Sequence, residues 1–293
     1  MSEAETKVVG VIGGSGLYDI DALENVEERV LSTPFGDPSD AFITGTYEGT
    51  PMVFLPRHGR GHRLSPTEIN FRANIWGLKR LGVTHVISVS AVGSMREDIV
   101  PGDFVVIDQF IDRTRHRVDT FFENGVVAHV LFADPVCDDV RQALLGAARE
   151  VGVTVHDGGT YVCMEGPQFS TRAESKLYRS WGVDVIGMTN YQEARLAREA
   201  ELAYATVAMA TDYDCWHEGH DDVTVEAVIA VMKQNVGNAR KVVLEAVKRM
   251  PNERSAACKD ALKYAIMTAP EAIPAEARDR LALFLDKYLP PRA

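Results

Sequence analysis

Along this chain, short runs of nearly unbroken apolar residues alternate with longer stretches whose apolar positions recur every three or four residues. The runs are KVVGVIGG (7–14), PMVFLPRHG (51–59), THVISVSAVGS (84–94), GDFVVIDQF (102–110), GTYVCMEGP (159–167), VDVIGMT (183–189) and AYATVAMATD (203–212). Several are rich in Val and Ile, as strands covered on both faces are. The longer period predicts helices over 66–81, 138–151, 171–181, 192–200 and 223–249. Ser65 has N-cap chemistry with Pro66 behind it, and Gly82 stands where a helix should stop. Strands alternating with helices predict an α/β fold around a central mixed sheet flanked by helices. Residues 111–130 form a long excursion, a place where function often resides. No linker divides the chain. A single domain over 1–293 is expected, with about 250–293 as its C-terminal helical extension.

The last of these runs ends in Asp212, with Asp214 two residues on. In an extended strand, residues i and i+2 share a face, so both carboxylates are expected to point the same way. Like charges so placed repel, and burial raises the cost, so a donor or cation should face them.

Other strand ends carry complementary chemistry. In GVIGGSGLYD, Gly13, Gly14 and Gly16 surround Ser15, a loop able to turn backbone N–H groups and a hydroxyl toward a phosphate. It is neither a dinucleotide fingerprint nor a nucleophile elbow, because Asp19 and Leu17 stand where those motifs need glycine; a plain tight turn is the alternative. In PRHGRGHRLSP, Arg57, His58, Arg60, His62 and Arg63 crowd one segment. Arginine suits oxyanions, and a solvated basic loop is the plainer reading. Small residues Ser88, Ser90, Ala91, Gly93 and Ser94 admit a ligand at a strand end. MEGPQFSTRAES adds Glu165, the aromatic Phe169 and Ser170, and IGMTNYQE adds Met188 and Thr189. Phe169 and Met188 also suit a core. An oxyanion pocket, an aromatic and a carboxylate pair together describe a site for a phosphate plus a nitrogenous base.

Charge narrows the partners. With 31 Lys and Arg against 42 Asp and Glu, the net charge is −11, which argues against a nucleic-acid binder and makes any anion site a local pocket. Mean hydropathy is −0.10 and no apolar run is long enough for a membrane span. The polar start MSEAETK lacks a signal peptide's apolar region, so a cytoplasmic protein is expected. Cys137, Cys163, Cys215 and Cys258 are scattered, which suggests neither a disulfide framework nor a zinc site.

From IGGSGLYD through RHGRGH, ANIWGLKRLGVTHVISVSAVGS, PGDFVVIDQFIDRT, EGPQFSTRAES and GMTN to MATDYDCW, the chain resembles the trimeric purine nucleoside phosphorylase family, in its methylthioadenosine-cleaving branch. That resemblance implies a distorted, barrel-like mixed sheet and phosphorolysis of 5′-methylthioadenosine to adenine and 5-methylthioribose 1-phosphate. Phosphate is then a co-substrate, with no cofactor and no metal. It implies that Ser15, Arg57, His58, Ser90, Ala91 (through its backbone) and Thr189 hold phosphate. Met188 packs on the ribose, and Phe169 and Ser170 lie beside the purine. Asp212 and Asp214 are the catalytic pair at the N7 and 6-amino edge. His129, Val225, Val228 and Ile229 match the apolar 5′ pocket, closed by a neighbouring subunit of a homotrimer, which could double to a hexamer. Family members acting on 6-oxopurines carry an amide at the Asp212 position and Glu at the Ser170 position, so Asp212 with Ser170 implies adenine.

One segment departs from the family. Where it reads through Pro into Glu, this chain has Asn190, Tyr191 and Gln192 before Glu193. Losing Pro is expected to loosen that turn, leaving 5′-deoxy- or 5′-halo-adenosines as alternative substrates; a 6-oxopurine nucleoside such as methylthioinosine or inosine is a further alternative. Two rivals of other classes stand beside this reading. One is a metal enzyme using Asp212, Asp214 and His217 or His220, which a chelator would inactivate. The other is a nucleotide binder without turnover.

Overall fold

The computed structural model describes residues 6–14, 17, 22–217 and 225–289. Its strands are β1 (Val9–Gly13), β2 (Glu24–Arg29), β3 (Phe42–Tyr47), β4 (Thr50–Pro56), β5 (His85–Ser94), β6 (Phe104–Val106), β7 (Gln109–Arg113), β8 (Val155–Asp157), β9 (Thr160–Met164), β10 (Val185–Gly187) and β11 (Ala203–Asp212). The longer helices are α1 (Phe71–Arg80), α2 (Asp138–Val151), α3 (Arg172–Ser180), α4 (Asn190–Glu199) and α5 (Val225–Arg249). Short helical turns follow, among them Ala256–Lys259, Ala275–Arg280 and Ala282–Leu285.

The strands form one mixed sheet in the order β2-β3-β4-β1-β5-β10-β9-β7, with β11, β6 and β8 branching off β5. The α/β expectation holds. The barrel-like closure does not: the sheet forks at β5 and stays open. β5 pairs in parallel with β1 and β11, and its last residues Gly93 and Ser94 pair antiparallel with β10. The fork gathers the ends of β5, β10 and β11 at one place.

The core lies on both faces. One cluster joins Val9, Val89 and Val207 to Leu144 and Ala148 of α2 and Val243 and Val247 of α5. A second joins Ile12 and Val86 to Ile75 and Leu78 of α1, Leu196 of α4, and Leu281 and Phe284 near the C-terminus. The β strands covered in this way are the ones whose apolar runs read as doubly buried.

Boundaries moved where local chemistry decided them. Ser65 is not the cap of α1. Its N–H and hydroxyl go to Glu68 in a separate turn, and Asn70 caps the helix by accepting from the Ala73 N–H at 3.1 Å. α2 matches its expected range, and Thr171 closes a capping box with Glu174 at the start of α3. The run 102–110 is split into β6 and β7, and β2, β3 and β8 had no apolar signature.

Candidate active site

β11 delivers Asp212, but not by simple alternation with Asp214. Asp212 is its last residue, and Asp214 lies in the following turn with φ 53°. The expectation of two carboxylates sharing a strand face is thus corrected. A turn brings them together instead: the Asp214 N–H donates to Asp212 Oδ1 at 2.8 Å. Asp and Asn tolerate this left-handed backbone better than bulky residues. Thr211 donates to the other oxygen, Asp212 Oδ2, at 2.7 Å. Both carboxyls are held above their ordinary pKa, in each case chiefly by burial. The hydrogen bonds from Thr211 and the Asp214 N–H pull Asp212 back toward ionisation. The Cys215 N–H does the same for Asp214, with buried Ser175 close by, while the neighbouring Asp212 charge pushes it up again.

Gly93 gives the pair its room. A Cβ there would lie 3.0 Å from Asp212 Oδ1 and 3.0 Å from Ile186. The turn is closed by the Trp216 indole N–H on Ser94 O at 2.8 Å. The Cys215 thiol donates to Ser170 O at 3.3 Å, which carries the 165–172 segment to the same place. Ser170 Oγ points to Met164 Sδ at 3.4 Å, and Phe169 is 46% exposed, so its ring is not core. Gly166 has φ 69°, and a Cβ on it would meet Met188 Sδ at 2.5 Å. The segment therefore packs directly on the β10–α4 turn.

The anion side is a buried network. Arg57, just after β4, is 2% exposed. Its Nε and Nη2 donate to Glu193 at 2.5 and 3.2 Å, Nη2 donates to Ser88 Oγ at 2.6 Å, and Nη1 donates to Val89 O at 3.0 Å. Glu193 thus occupies the fork that suits an oxyanion, and one Nη1 hydrogen stays outside these bonds. Asn190 ties the network to β5 and β11: it accepts from Ser90 Oγ at 2.7 Å and donates to Ser88 Oγ at 2.7 Å and Thr206 Oγ1 at 2.8 Å. Thr189 is buried at the N-terminus of α4 and makes no side-chain cap bond. A helix start is a favourable place for an anion. Ala91 is half-buried on β5, opposite Met209.

His58 follows Arg57 in the chain. Its Nδ1 lies 2.9 Å from the Leu64 carbonyl, and its ring stacks on His62 at 4.2 Å. Burial first, then the Arg57 charge, lowers its pKa to about 4. The ring is neutral at pH 7. Because a carbonyl only accepts, the proton sits on Nδ1, and Nε2 is the acceptor nitrogen.

Ser15 and the side chains of Val225 and Val228 lie outside the described residues, as does His220. Ile229 is 44% exposed on α5. His129 is exposed on the excursion, where its N–H donates to Ala265 O at 2.8 Å. His217 stacks on Tyr213 at 4.6 Å with Nε2 3.9 Å from Glu97. Among the described residues, no group of three or more His, Cys, Asp or Glu is placed to hold a metal ion.

The turn with Tyr191 and Gln192 is pinned rather than loosened. Gln192 is fully buried; it accepts from Arg117 Nη1 at 2.9 Å and donates to Thr114 Oγ1 at 2.8 Å. Arg117 also donates to the carbonyls of Met188 and Glu165. Tyr191 turns away to Phe110 and Phe132, with ring centroids 6.0 and 6.1 Å apart. Sequence reasoning missed Arg117, Thr211 and Ser175. In the sequence Glu193 is marked only as the acid that follows Asn190, Tyr191 and Gln192.

The profile of a family described as the phosphorylase superfamily matches residues 8–248. S-methyl-5′-thioadenosine phosphorylase of Geobacter sulfurreducens is 63% identical over 97% of this chain and 99% of that protein. The crystal structure of a methylthioadenosine phosphorylase from an antarctic soil metagenomic library superposes with a TM-score of 0.91 at 47% identity, covering 96% of this chain and 99% of that one. Methylthioadenosine phosphorylase from Schistosoma mansoni in complex with adenine gives 0.79 at 41% identity, over 83% and 91% of the two chains.

Proposed function

The chain belongs to the phosphorylase superfamily, and on that premise we propose that it cleaves 5′-methylthioadenosine with inorganic phosphate, giving adenine and 5-methylthioribose 1-phosphate. The observation that carries this is Asp212, a carboxyl held above its ordinary pKa by burial at the forked strand end, with Asp214 beside it. A purine departs more readily as a neutral base than as an anion, so cleavage of the C–N bond calls for a proton at N7. Asp212 supplies it, and Asp214 accepts from the 6-amino group. Relatives of the same name at up to 63% identity support the substrate.

Phosphate is assigned to the Arg57 side of the site: the Thr189 hydroxyl at the start of α4, Ser90 and the Ala91 backbone on β5, Ser15, and the remaining Nη1 hydrogen of Arg57. The Glu193 pair fixes the guanidinium so that its charge is in place before the anion arrives. Neutral His58 suits the O–H of monohydrogen phosphate, which its Nε2 can accept. Negative phosphate below the ribose then both attacks C1′ and stabilises its oxocarbenium character. Met188 forms the ribose wall, with Phe169 and Ser170 at the purine. No step calls for a metal or an organic cofactor.

The 5′ pocket is assigned to His129, Val225, Val228 and Ile229, completed across a homotrimer. Leu131 at 86% and Val127 at 47% exposure flank His129, an apolar strip that a neighbouring copy would cover. A cytoplasmic salvage enzyme is the corresponding setting, and among the described residues no helix is long and apolar enough to cross a membrane.

The test is adenine release from 5′-methylthioadenosine with and without phosphate, in chelator, beside adenosine and 5′-methylthioinosine. Phosphate-dependent, chelator-resistant release, fastest on methylthioadenosine, is expected. Preference for methylthioinosine would remove the base-reading argument, and binding without release would favour a nucleotide-binding protein.

A further inference from the structure

Beside the acid stands a hydroxyl with more acceptors than protons. β11 carries one residue more than β5 at the fork: Ala210 pairs with Val92 and Asp212 with Gly93, leaving Thr211 as the bulged residue between them. The bulge buries Thr211 at 4% exposure and sets its Oγ1 2.7 Å from Asp212 Oδ2 and 3.2 Å from Val92 O. A hydroxyl has a single proton to donate. Two acceptors, one carboxyl and one carbonyl, compete for it.

From this geometry we propose that Thr211 is a positioning residue for the proton transfer, its hydroxyl shifting from the Val92 carbonyl to the Asp212 carboxylate as the acid gives up its proton. The proposal rests on the reading of Asp212 as the acid. While Asp212 is neutral and its O–H is turned to N7, both acceptors near Thr211 are uncharged and the threonine hydrogen stays with Val92 O. As the C1′–N9 bond breaks with its electron pair moving to the purine, the carboxyl O–H breaks and N7–H forms. Charge then spreads over both carboxylate oxygens. A charge-assisted hydrogen bond outweighs one to a neutral carbonyl, so the threonine hydrogen turns to Oδ2. The Asp214 N–H already holds Oδ1. The proton carried by monohydrogen phosphate balances the step and restores Asp212 after the products leave. An interaction that strengthens only as charge develops lowers the barrier without tightening substrate binding.

The groups packed around Asp212 leave this hydroxyl as the adjustable one. Its own turn contributes Asp214 and Cys215, and α3 contributes Ser175 and Glu174, which act on Asp214. β5 and β10 present Gly93 and Ile186, which carry no charge.

The experiment compares Thr211→Val and Thr211→Ala, which lack the hydroxyl, with Thr211→Ser, which keeps it, by kcat and KM across pH. Melting temperature is followed in parallel, and any soluble hydroxyl-free variant decides the outcome. The expected result is a fall of roughly tenfold in the plateau kcat of the hydroxyl-free variants, the effect of one lost hydrogen bond to a charged group. Their nucleoside KM stays within about twofold of wild type. Their alkaline limb moves to higher pH, since the ionised acid has lost a donor, and Thr211→Ser restores both. A hydroxyl-free variant with wild-type plateau kcat, or a serine variant as impaired as valine, overturns the proposal. If the wild-type protein itself releases no adenine with phosphate, the functional reading fails first and the proposal fails with it.

Discussion

Asp212 and Arg57 show how differently two buried charged groups can be held. Asp212 keeps its proton to higher pH because burial disfavours the anion, and a proton donor near neutrality needs that. In Asp212→Asn, kcat on methylthioadenosine should fall by about two orders of magnitude or more. The ratio of methylthioinosine to methylthioadenosine turnover should rise, since an amide can donate to O6. Parallel steady-state assays on both nucleosides check this. The wild-type rate should decline as pH rises through the Asp212 ionisation, because the proposed mechanism uses its protonated form. Arg57 stays charged because Glu193 answers it at 2.5 Å, both side chains being 3% exposed. Glu193→Ala leaves that cation unanswered and should lower stability by about 3–5 kcal/mol, read by urea unfolding.

Side chains outside the proposed site decide where its residues stand. The β10–α4 turn lacks the family's proline, yet Arg117 and Thr114 hold Gln192 and with it the carbonyl of Met188. Gln192→Leu should therefore raise the nucleoside KM more than the phosphate KM, by roughly tenfold against little change, because Arg117 loses a buried acceptor beside Met188, the proposed ribose wall. Equal effects on both would show that the turn does not set that wall. The far end of α4 holds the excursion: Glu199 accepts from Thr120 Oγ1 at 2.8 Å and the Phe121 N–H at 2.7 Å. Burial raises its pKa from 4.5 to about 7. The folded state then binds this proton more tightly than the unfolded chain, so Glu199 costs stability as pH rises from about 4.5 to 7 and no further above that. The loss is at most about 3 kcal/mol. Thermal melts of wild type against Glu199→Gln should show this slope in the wild type and its absence in the variant.

At the scale of the molecule, residues 250–289 are bound into the fold. The Ala128–Ile266 bridge and the bond from Met267 N–H to Val127 O join them to the excursion. Phe284, 3% exposed, packs on Phe121 with ring centroids 4.5 Å apart. Phe284→Ala should cost about 3–5 kcal/mol in denaturant titration, more than a loosely tethered tail would. The apolar strip Val127, Leu131 and Met267 stays exposed on this surface. Light scattering should accordingly give three times the 32.2 kDa chain mass, and His129→Ala should weaken methylthioadenosine more than adenosine.

Apolar periodicity by itself determined the alternation of strands and helices, because strands covered on both faces read as unbroken Val and Ile runs whatever their neighbours. Residue types at strand ends pointed to a phosphate and a base, since those chemistries need hydroxyls, arginine and carboxylates. β2, exposed along its whole length as ENVEER, left no such trace, because the ladder to β3 alone makes it a strand. Tertiary structure decided the rest. That Arg57 grips Glu193, that Asp214 reaches Asp212 through a turn, and that the sheet forks instead of closing all depend on pairings between distant segments. Local pattern does not encode them, because a hydrogen bond's partner is chosen by whatever chain the fold brings within 3 Å, and only the assembled sheet brings β5, β10 and β11 to one point.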